Sequence, residues 1–273
     1  MMVAVAEILN VMNNVYGKDI SVYERSFLLK SVEKRLAALN GISNKQYAGV
    51  LAEDENEAYA LFSSLTICYS DFFRNPLTFA LLEQLILPRL IDEKSPNSEI
   101  RIWSAGCAAG QETYSIAMVL DELIRRKEKA TNFRVFGTDI SENSLTTARK
   151  GVFNRLELGN VNLGRMSNYF SQRGENYTIS DNLKDSIDFS FDDLLDSNSI
   201  SPAASIFGDF DLICCSNLLF YYNAEIRQAI LKKLYLSLSR KGYLVTGEAE
   251  REIVAKYRFR PVYPPAAVFQ KIG

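Results

Sequence analysis

Residues 100–112 read IRIWSAGCAAGQE, and this stretch decides the fold. It predicts a short strand at 100–103, a turn of small residues at 104–110 and a helix at 111–128. The same alternation continues along the chain. Further strands are predicted at 134–137, 187–191, 210–215 and 242–247, and helices at 142–150 and 223–239. Strands that alternate with helices indicate an α/β fold with a doubly wound, parallel, Rossmann-like sheet.

The regions on either side of this pattern have a different organisation. Residues 1–70 have helical periodicity, with a stop at Asn40-Gly41, and predict a small all-α N-terminal domain. Residues 71–95 predict a linker helix with a bend or stop at Pro88, and residues 96–273 form the sheet domain. Inside that domain, residues 169–186 contain turn residues around a short β-like segment and predict a small β-rich insertion.

The composition excludes several kinds of chemistry. The 273 residues include no histidine, which rules out histidine acid–base catalysis, Ser–His or Cys–His nucleophiles and histidine metal ligands. No metal site is predicted. The net charge of −2 and the absence of a long apolar run give no indication of nucleic-acid binding or membrane insertion. The cysteines, at 68, 107, 214 and 215, are expected to be free thiols. With no export signal at the N-terminus, a cytoplasmic location is predicted.

Three features converge on the carboxyl edge of the predicted sheet, where doubly wound folds bind ligands. The turn Gly106 to Gly110 lets a ligand approach the backbone, and Asp139 ends the second strand, where a carboxylate can accept both ribose hydroxyls of a nucleoside. Asp193 follows the third strand and can reach an adenine amino group. The alternative for Gly106 to Gly110 is a tight turn that binds no ligand. The alternative for Asp139 and for Asp193 is that each carboxylate caps a helix. The turn lacks the G-x-G-x-x-G pattern, which disfavours a dinucleotide.

Four segments resemble the CheR methyltransferases, which methyl-esterify glutamate side chains of bacterial chemoreceptors. Residues 65–74, LTICYSDFFR, are similar to L-T-x-x-x-T-x-F-F-R. Residues 101–118, RIWSAGCAAGQETYSIAM, are similar to R-V-W-S-A-G-C-S-T-G-E-E-P-Y-S-I-A-M. Residues 136–140, FGTDI, resemble F-A-T-D-I, and residues 215–222, CSNLLFYY, resemble C-R-N-V-L-I-Y-F. Their order and spacing along almost the whole chain are also those of the family.

The resemblance implies S-adenosylmethionine as cofactor, S-adenosylhomocysteine as its product, and glutamate carboxylates of a chemoreceptor-like protein as methyl acceptors. It implies catalytic roles for Arg74 and Tyr221. It also implies cofactor contacts for Ser70, Arg74, Ala105, Gly106, Glu112, Asp139, Ile140, Asp193, Leu194, Ser216 and Asn217. Methyl transfer from a sulfonium to a carboxylate needs alignment rather than a strong base, which suits a chain without histidine.

The chain departs from the family pattern around the substrate. Ser216 replaces an arginine, residues 108–113 lose two hydroxyls, an acid and a proline, and H-S-E becomes Glu248-Ala249-Glu250. Two alternatives therefore stay open: a degenerate cofactor-binding sensor or scaffold, and a methyltransferase on a non-receptor substrate.

Two surfaces are candidates for partner binding. A helix face with Arg25, Lys30, Lys34 and Arg35 is suited to an acidic helical region of a receptor, although an ordinary solvated face is the alternative. The resemblance also implies that the β-insertion can dock a receptor tail peptide.

Overall fold

The computed structural model describes residues 2–39, 42–66, 69–95, 97–205 and 208–272. The chain divides into two compact units. The helical unit comprises residues 1–67 and 220–228, and the sheet unit comprises residues 68–219 and 229–273. The predicted helix stop at Asn40-Gly41, and Cys68, lie outside the described residues. No helix in the described ranges is long and apolar enough to cross a membrane.

The helical unit is built from four helices packed around apolar side chains that include Ile8, Met12, Leu51 and Leu61. The helices are α1 (Met2–Tyr16), α2 (Arg25–Ala38), α3 (Asn44–Glu53) and α4 (Glu55–Leu65). Ser43 and Gln46 form a capping box at the start of α3, and the Asp54 carboxylate accepts backbone N–H groups in the first turn of α4. These caps satisfy donors that have no partner within the helix.

A partly buried ion pair joins α2 to α4 inside this unit. The Arg35 Nε donates to Glu57 at 2.9 Å, and the Tyr47 hydroxyl donates to the same carboxylate at 2.7 Å. Burial alone would raise the pKa of Glu57, but the bonds from Arg35 and Tyr47 lower it below its ordinary value. Arg35 therefore has a structural role, and only Arg25, Lys30 and Lys34 of the predicted basic face are exposed.

The sheet unit contains a seven-stranded mixed sheet, which confirms the predicted α/β fold. Its strand order is β6-β2-β1-β7-β8-β10-β9. The strands are β1 (Glu99–Ala105), β2 (Asn132–Asp139), β6 (Ile187–Phe191), β7 (Phe210–Cys215), β8 (Leu238–Thr246), β9 (Phe259–Pro261) and β10 (Val268–Lys271). The first five are the parallel strands that the sequence predicts. The last two strands pair antiparallel at one edge, an addition to the parallel sheet that the sequence did not predict.

The helices flank this sheet and close its apolar core. They are α5 (Pro76–Leu81), α6 (Leu87–Glu93), α7 (Gln111–Lys127), α8 (Glu142–Lys150), α9 (Leu163–Tyr169), α10 (Asp181–Lys184), α11 (Ala224–Ser237) and α12 (Arg251–Val254). One π-helical turn, Leu82–Ile86, joins α5 to α6. Pro88 has no N–H for a regular bond, which accounts for the change of register just before it.

A three-stranded sheet projects from the main one, in the order β3-β5-β4. Its strands are β3 (Val152–Asn154), β4 (Phe170–Arg173) and β5 (Asn176–Ile179). The insertion therefore begins at β3, before the residues 169–186 that the sequence predicts, because β3 is too short to give a recognisable pattern. The Phe72 ring anchors it, lying 4.9 Å from the Phe153 ring and 5.8 Å from the Phe170 ring.

Candidate active site

The conformation of the turn after β1 depends on a residue with a left-handed backbone conformation and on hydrogen bonds to the end of β2. Gly106 has a φ of 75°, and a Cβ there would lie 3.1 Å from the Leu218 side chain. The backbone N–H groups of Gly106 and Cys107 both donate to the Thr138 carbonyl, at 2.8 and 2.9 Å. The turn is thereby tied to the end of β2, and its small residues keep the backbone accessible to a ligand.

Asp139 is a buried carboxylate at the end of β2. One of its oxygens accepts the Ala108 backbone N–H at 2.9 Å, and the other accepts the Ser141 N–H at 2.8 Å. Burial raises its pKa, and these backbone donors oppose that rise. Two oxygens have about four lone-pair sites, so acceptor capacity remains for a diol. The neighbouring Ile140 side chain is exposed and offers an apolar surface.

Glu112 lies in the first turn of α7, directly behind the β1 turn. The Ser104 hydroxyl donates to its carboxylate at 2.9 Å, and the Ser216 hydroxyl is a second hydrogen-bond partner. Burial raises the pKa of Glu112, while the two hydroxyls and the charge of Arg74 act in the opposite direction. The serine that replaces the family arginine thus favours the ionised form of this acid.

The segment that carries Arg74 is fixed against α7. The backbone N–H of Phe73, a residue with a φ of 50°, donates to the Ser115 hydroxyl at 3.1 Å. The Phe73 ring lies under the Arg165 guanidinium at 4.5 Å. Arg74 itself lies over the Tyr69 ring at 5.2 Å, and its side chain stays exposed. The arginine is therefore presented by a rigid backbone.

The β1 turn, the first turn of α7 and the segment that carries Arg74 line a cleft inside the sheet unit. Six of the predicted site residues line it: Ser70, Arg74, Gly106, Glu112, Ser216 and Asn217. Ile116, Cys214 and Val245 contribute apolar surface to the same cleft. A cation, an acid and an amide face one small volume with an apolar wall, which is an arrangement suited to a zwitterionic ligand with an apolar chain.

The other predicted residues lie elsewhere in the structure. Ala105 and Asp139 are the last residues of β1 and β2, and Ile140 directly follows β2. The Asp193 carboxylate accepts the Leu195 N–H at 2.8 Å, and the Lys233 ammonium donates to the Asp193 carbonyl at 3.1 Å. Leu194, the residue after Asp193, is partly exposed.

Tyr221 belongs to the helical unit. Its ring is 4.7 Å from that of Phe27, and its carbonyl accepts the Glu24 N–H at 2.7 Å.

The sequence did not reveal the role of Glu250. This fully buried carboxylate accepts four backbone N–H groups, those of Asn217, Leu218, Leu219 and Gly247, at 2.6 to 2.9 Å. It thereby holds Asn217 at a φ of 61°. The available signal was an acid four residues after the end of β8, in the segment that resembles the family's H-S-E.

Cys107, Cys214 and Cys215 are buried free thiols, and burial raises the pKa of each well above its ordinary value. Within the described residues, no group of three or more Cys, Asp or Glu side chains is arranged to hold a metal ion.

Comparison with known proteins shows to which family this chain belongs. The model for the CheR methyltransferase S-adenosylmethionine-binding domain matches residues 69–264. The chain belongs to the CheR methyltransferase family. This confirms the identification made from the four sequence segments. The CheR domain includes the whole cleft and all of the predicted site residues, and S-adenosylmethionine is its cofactor.

Three relatives illustrate how far the similarity extends. Chemotaxis protein methyltransferase 1 of Pseudomonas aeruginosa is 33% identical over 66% of this CheR-family chain and 64% of its own length. The chemotaxis protein methyltransferase of Vibrio parahaemolyticus is 32% identical over 86% of this chain and 83% of its own length. A 104.1 kDa protein of Rhodobacter capsulatus is 28% identical over 90% of this chain, which spans only 25% of that protein.

Proposed function

We propose that this CheR-family protein transfers a methyl group from S-adenosylmethionine to glutamate carboxylates of a chemoreceptor-like protein. The observation that carries the proposal is the cleft in which Arg74 and Glu112 face the same volume. A cytoplasmic location is part of the proposal, supported by the buried free thiols.

The residues around the β1 turn fit the cofactor. Glu112 would accept the ammonium of its methionine part, since a carboxylate in a partly apolar cleft favours a cation. Asp139 would accept the ribose hydroxyls, and Gly106 and Ala105 would provide close backbone contact. By the family resemblance, Ile140, Asp193 and Leu194 would lie around the adenine, and Ser70, Ser216 and Asn217 would lie beside the methionine part.

The chemistry requires alignment and exclusion of water. When bound, S-adenosylmethionine supplies an electrophilic methyl carbon: a carboxylate oxygen forms the new bond to it, and the electrons of the broken S–C bond go to sulfur. Arg74, whose guanidinium has five N–H donors, would contact the methionine carboxylate of the cofactor and orient the incoming glutamate carboxylate. The apolar side chains of Ile116 and Val245 would keep the cleft poor in water. Positioning of this kind can supply roughly 7–11 kcal/mol of the barrier reduction. The proposed role of Tyr221 rests on the family resemblance alone.

Cofactor binding is expected to depend on pH through Glu112. Burial raises the pKa of this carboxyl, and only its ionised form attracts an ammonium fully. The affinity for S-adenosylhomocysteine should therefore fall as the pH is lowered through that raised pKa. The ligand-free protein should respond in the opposite direction. Because the folded state holds the proton more tightly than the unfolded state, its free energy of unfolding should fall as the pH rises through the same window.

Calorimetric titrations across a series of buffers would measure this dependence. In the Glu112→Gln variant, the contribution of Glu112 should disappear, which separates it from that of Asp139. Ser216→Ala removes one hydrogen bond to the carboxylate and should move the dependence to higher pH. Identical profiles for wild type and Glu112→Gln would refute the assignment.

Methyl transfer itself can be tested with S-adenosylmethionine carrying a tritiated methyl group and membranes that contain a bacterial chemoreceptor. The expected product is labelled receptor from which mild base releases methanol, as a carboxyl ester requires. Arg74→Gln should abolish this label, and Arg126→Gln, an exposed arginine outside the cleft, is the matched control. A base-stable label would indicate N-methylation. Cofactor binding without any label would favour a sensor or scaffold, as the loss of the arginine at Ser216 suggests.

The partner would be recognised by charge. Arg25, Lys30 and Lys34 are exposed on α2 and suit an acidic helical region, whereas Arg35 is engaged with Glu57. A receptor tail peptide on the β-insertion is a second possible contact, supported by the family resemblance and by the free outer edges of β3 and β4 within the described sheet.

A further inference from the structure

Thr78 is a buried residue whose hydroxyl has no partner. Its side chain is 3% exposed, and within the described part of the chain its Oγ1 makes no hydrogen bond. Thr78 is the third residue of α5, so the carbonyl four residues earlier, that of Arg74, precedes the N-cap Asn75 and offers no regular helical acceptor for the hydroxyl. A buried hydroxyl without an acceptor is unfavourable, so its presence calls for an explanation.

The position of Thr78 explains why its hydroxyl has no partner in the ligand-free protein. It lies in α5 and lines the same cleft as Arg74 and Glu112. Arg74 is the single cation among the described residues that line this cleft. A threonine hydroxyl reorients by rotation about one bond, so Oγ1 can turn towards an acceptor that enters the cleft.

The chemistry of the proposed ligand identifies that acceptor. The methionine part of S-adenosylmethionine carries an ammonium and a carboxylate on the same carbon. If Glu112 binds the ammonium, the carboxylate must lie a few ångströms away, where a cation and a neutral donor are required. Arg74 provides the cation, and Thr78 provides a donor whose bond is not already used.

We infer that Thr78 is a cofactor-binding residue, whose hydroxyl donates a hydrogen bond to the methionine carboxylate that Arg74 neutralises. This inference rests on the proposed function. It extends the binding site beyond Arg74 into α5, and it explains why a buried hydroxyl is kept without a partner in the ligand-free protein.

Thr78→Val tests the inference, because valine keeps the shape and removes the hydroxyl. A hydrogen bond to a charged group corresponds to about a tenfold or larger loss of affinity for S-adenosylhomocysteine. Thr78→Ser should restore most of the binding. The affinity for 5′-methylthioadenosine, which lacks the amino-acid part, should be the same in wild type and Thr78→Val.

Thermal unfolding distinguishes this role from a structural one. Removing a buried hydroxyl without a partner should leave the melting temperature of ligand-free Thr78→Val unchanged or higher, and only the increase caused by S-adenosylhomocysteine should shrink. Thr131→Val is the matched control, since Thr131 is also buried with an unpartnered hydroxyl but does not line the cleft. Unchanged affinity in a well-folded Thr78→Val would overturn the inference, and so would an equal loss for 5′-methylthioadenosine. Failure of the wild type to bind S-adenosylhomocysteine would instead refute the proposed function.

Discussion

Replacing Glu250 by glutamine is expected to lower the free energy of unfolding by about 3 kcal/mol. The side chain is fully buried, and each of its two oxygens accepts two backbone N–H groups. Glutamine replaces one oxygen with an NH₂ group that faces two donors, so two backbone N–H groups lose their acceptor in a place that water does not reach. The turn at Asn217 should lose its left-handed conformation more readily, since three of the four bonds come from Asn217, Leu218 and Leu219.

Urea unfolding of wild type, Glu250→Gln and Glu248→Gln would measure this effect. Glu248 occupies the same 3-10 turn but is exposed, so its variant should stay within about 0.5 kcal/mol of wild type. Equal stability of all three proteins would contradict the role assigned to Glu250.

Asp139→Ala is expected to reduce the affinity for S-adenosylhomocysteine by about a hundredfold or more, since the variant would lose the two hydrogen bonds that we propose between the ribose hydroxyls and this buried carboxylate. Asp139→Asn keeps the volume and one acceptor oxygen, and it should lose about tenfold. Asp139 also binds the N–H groups of Ala108 and Ser141, so part of the effect comes from a looser turn.

Calorimetry on folded protein measures the change, and circular dichroism shows whether each variant retains its fold. Glu142→Gln is the control, because Glu142 is an exposed acid in the first turn of α8, close to Asp139 in the chain. An affinity in Asp139→Ala equal to that of wild type would remove Asp139 from the cofactor site.

Most of the fold could be predicted from the sequence because the parallel strands are apolar runs between helical segments. The run Phe210–Cys215, for example, is buried at every position and has a recognisable pattern. The antiparallel edge could not be predicted in the same way. β9 has three residues and ends in Pro261, and β10 has four, so their pairing depends on contacts between segments rather than on local pattern.

Some residues of the candidate site could likewise be predicted from the sequence, and others could not. Gly106, Glu112 and Asn217 lie in segments that resemble the family, and all three line one cleft. Glu250 acts on backbone groups about 30 residues earlier in the chain, and Thr78 is notable only for a bond that it lacks. Neither property is visible in a linear pattern. For Arg35 the local pattern was misleading. The sequence placed it on a basic helix face for a partner, whereas the structure pairs it with Glu57.

The most direct test of the account is a calorimetric titration of the wild-type protein with S-adenosylhomocysteine. We expect saturable binding of one ligand per chain, with an affinity that falls at acidic pH as Glu112 becomes protonated. Absence of binding in protein whose folding is confirmed by a cooperative thermal transition would contradict the account, because the cleft would then have kept the family's geometry without its cofactor.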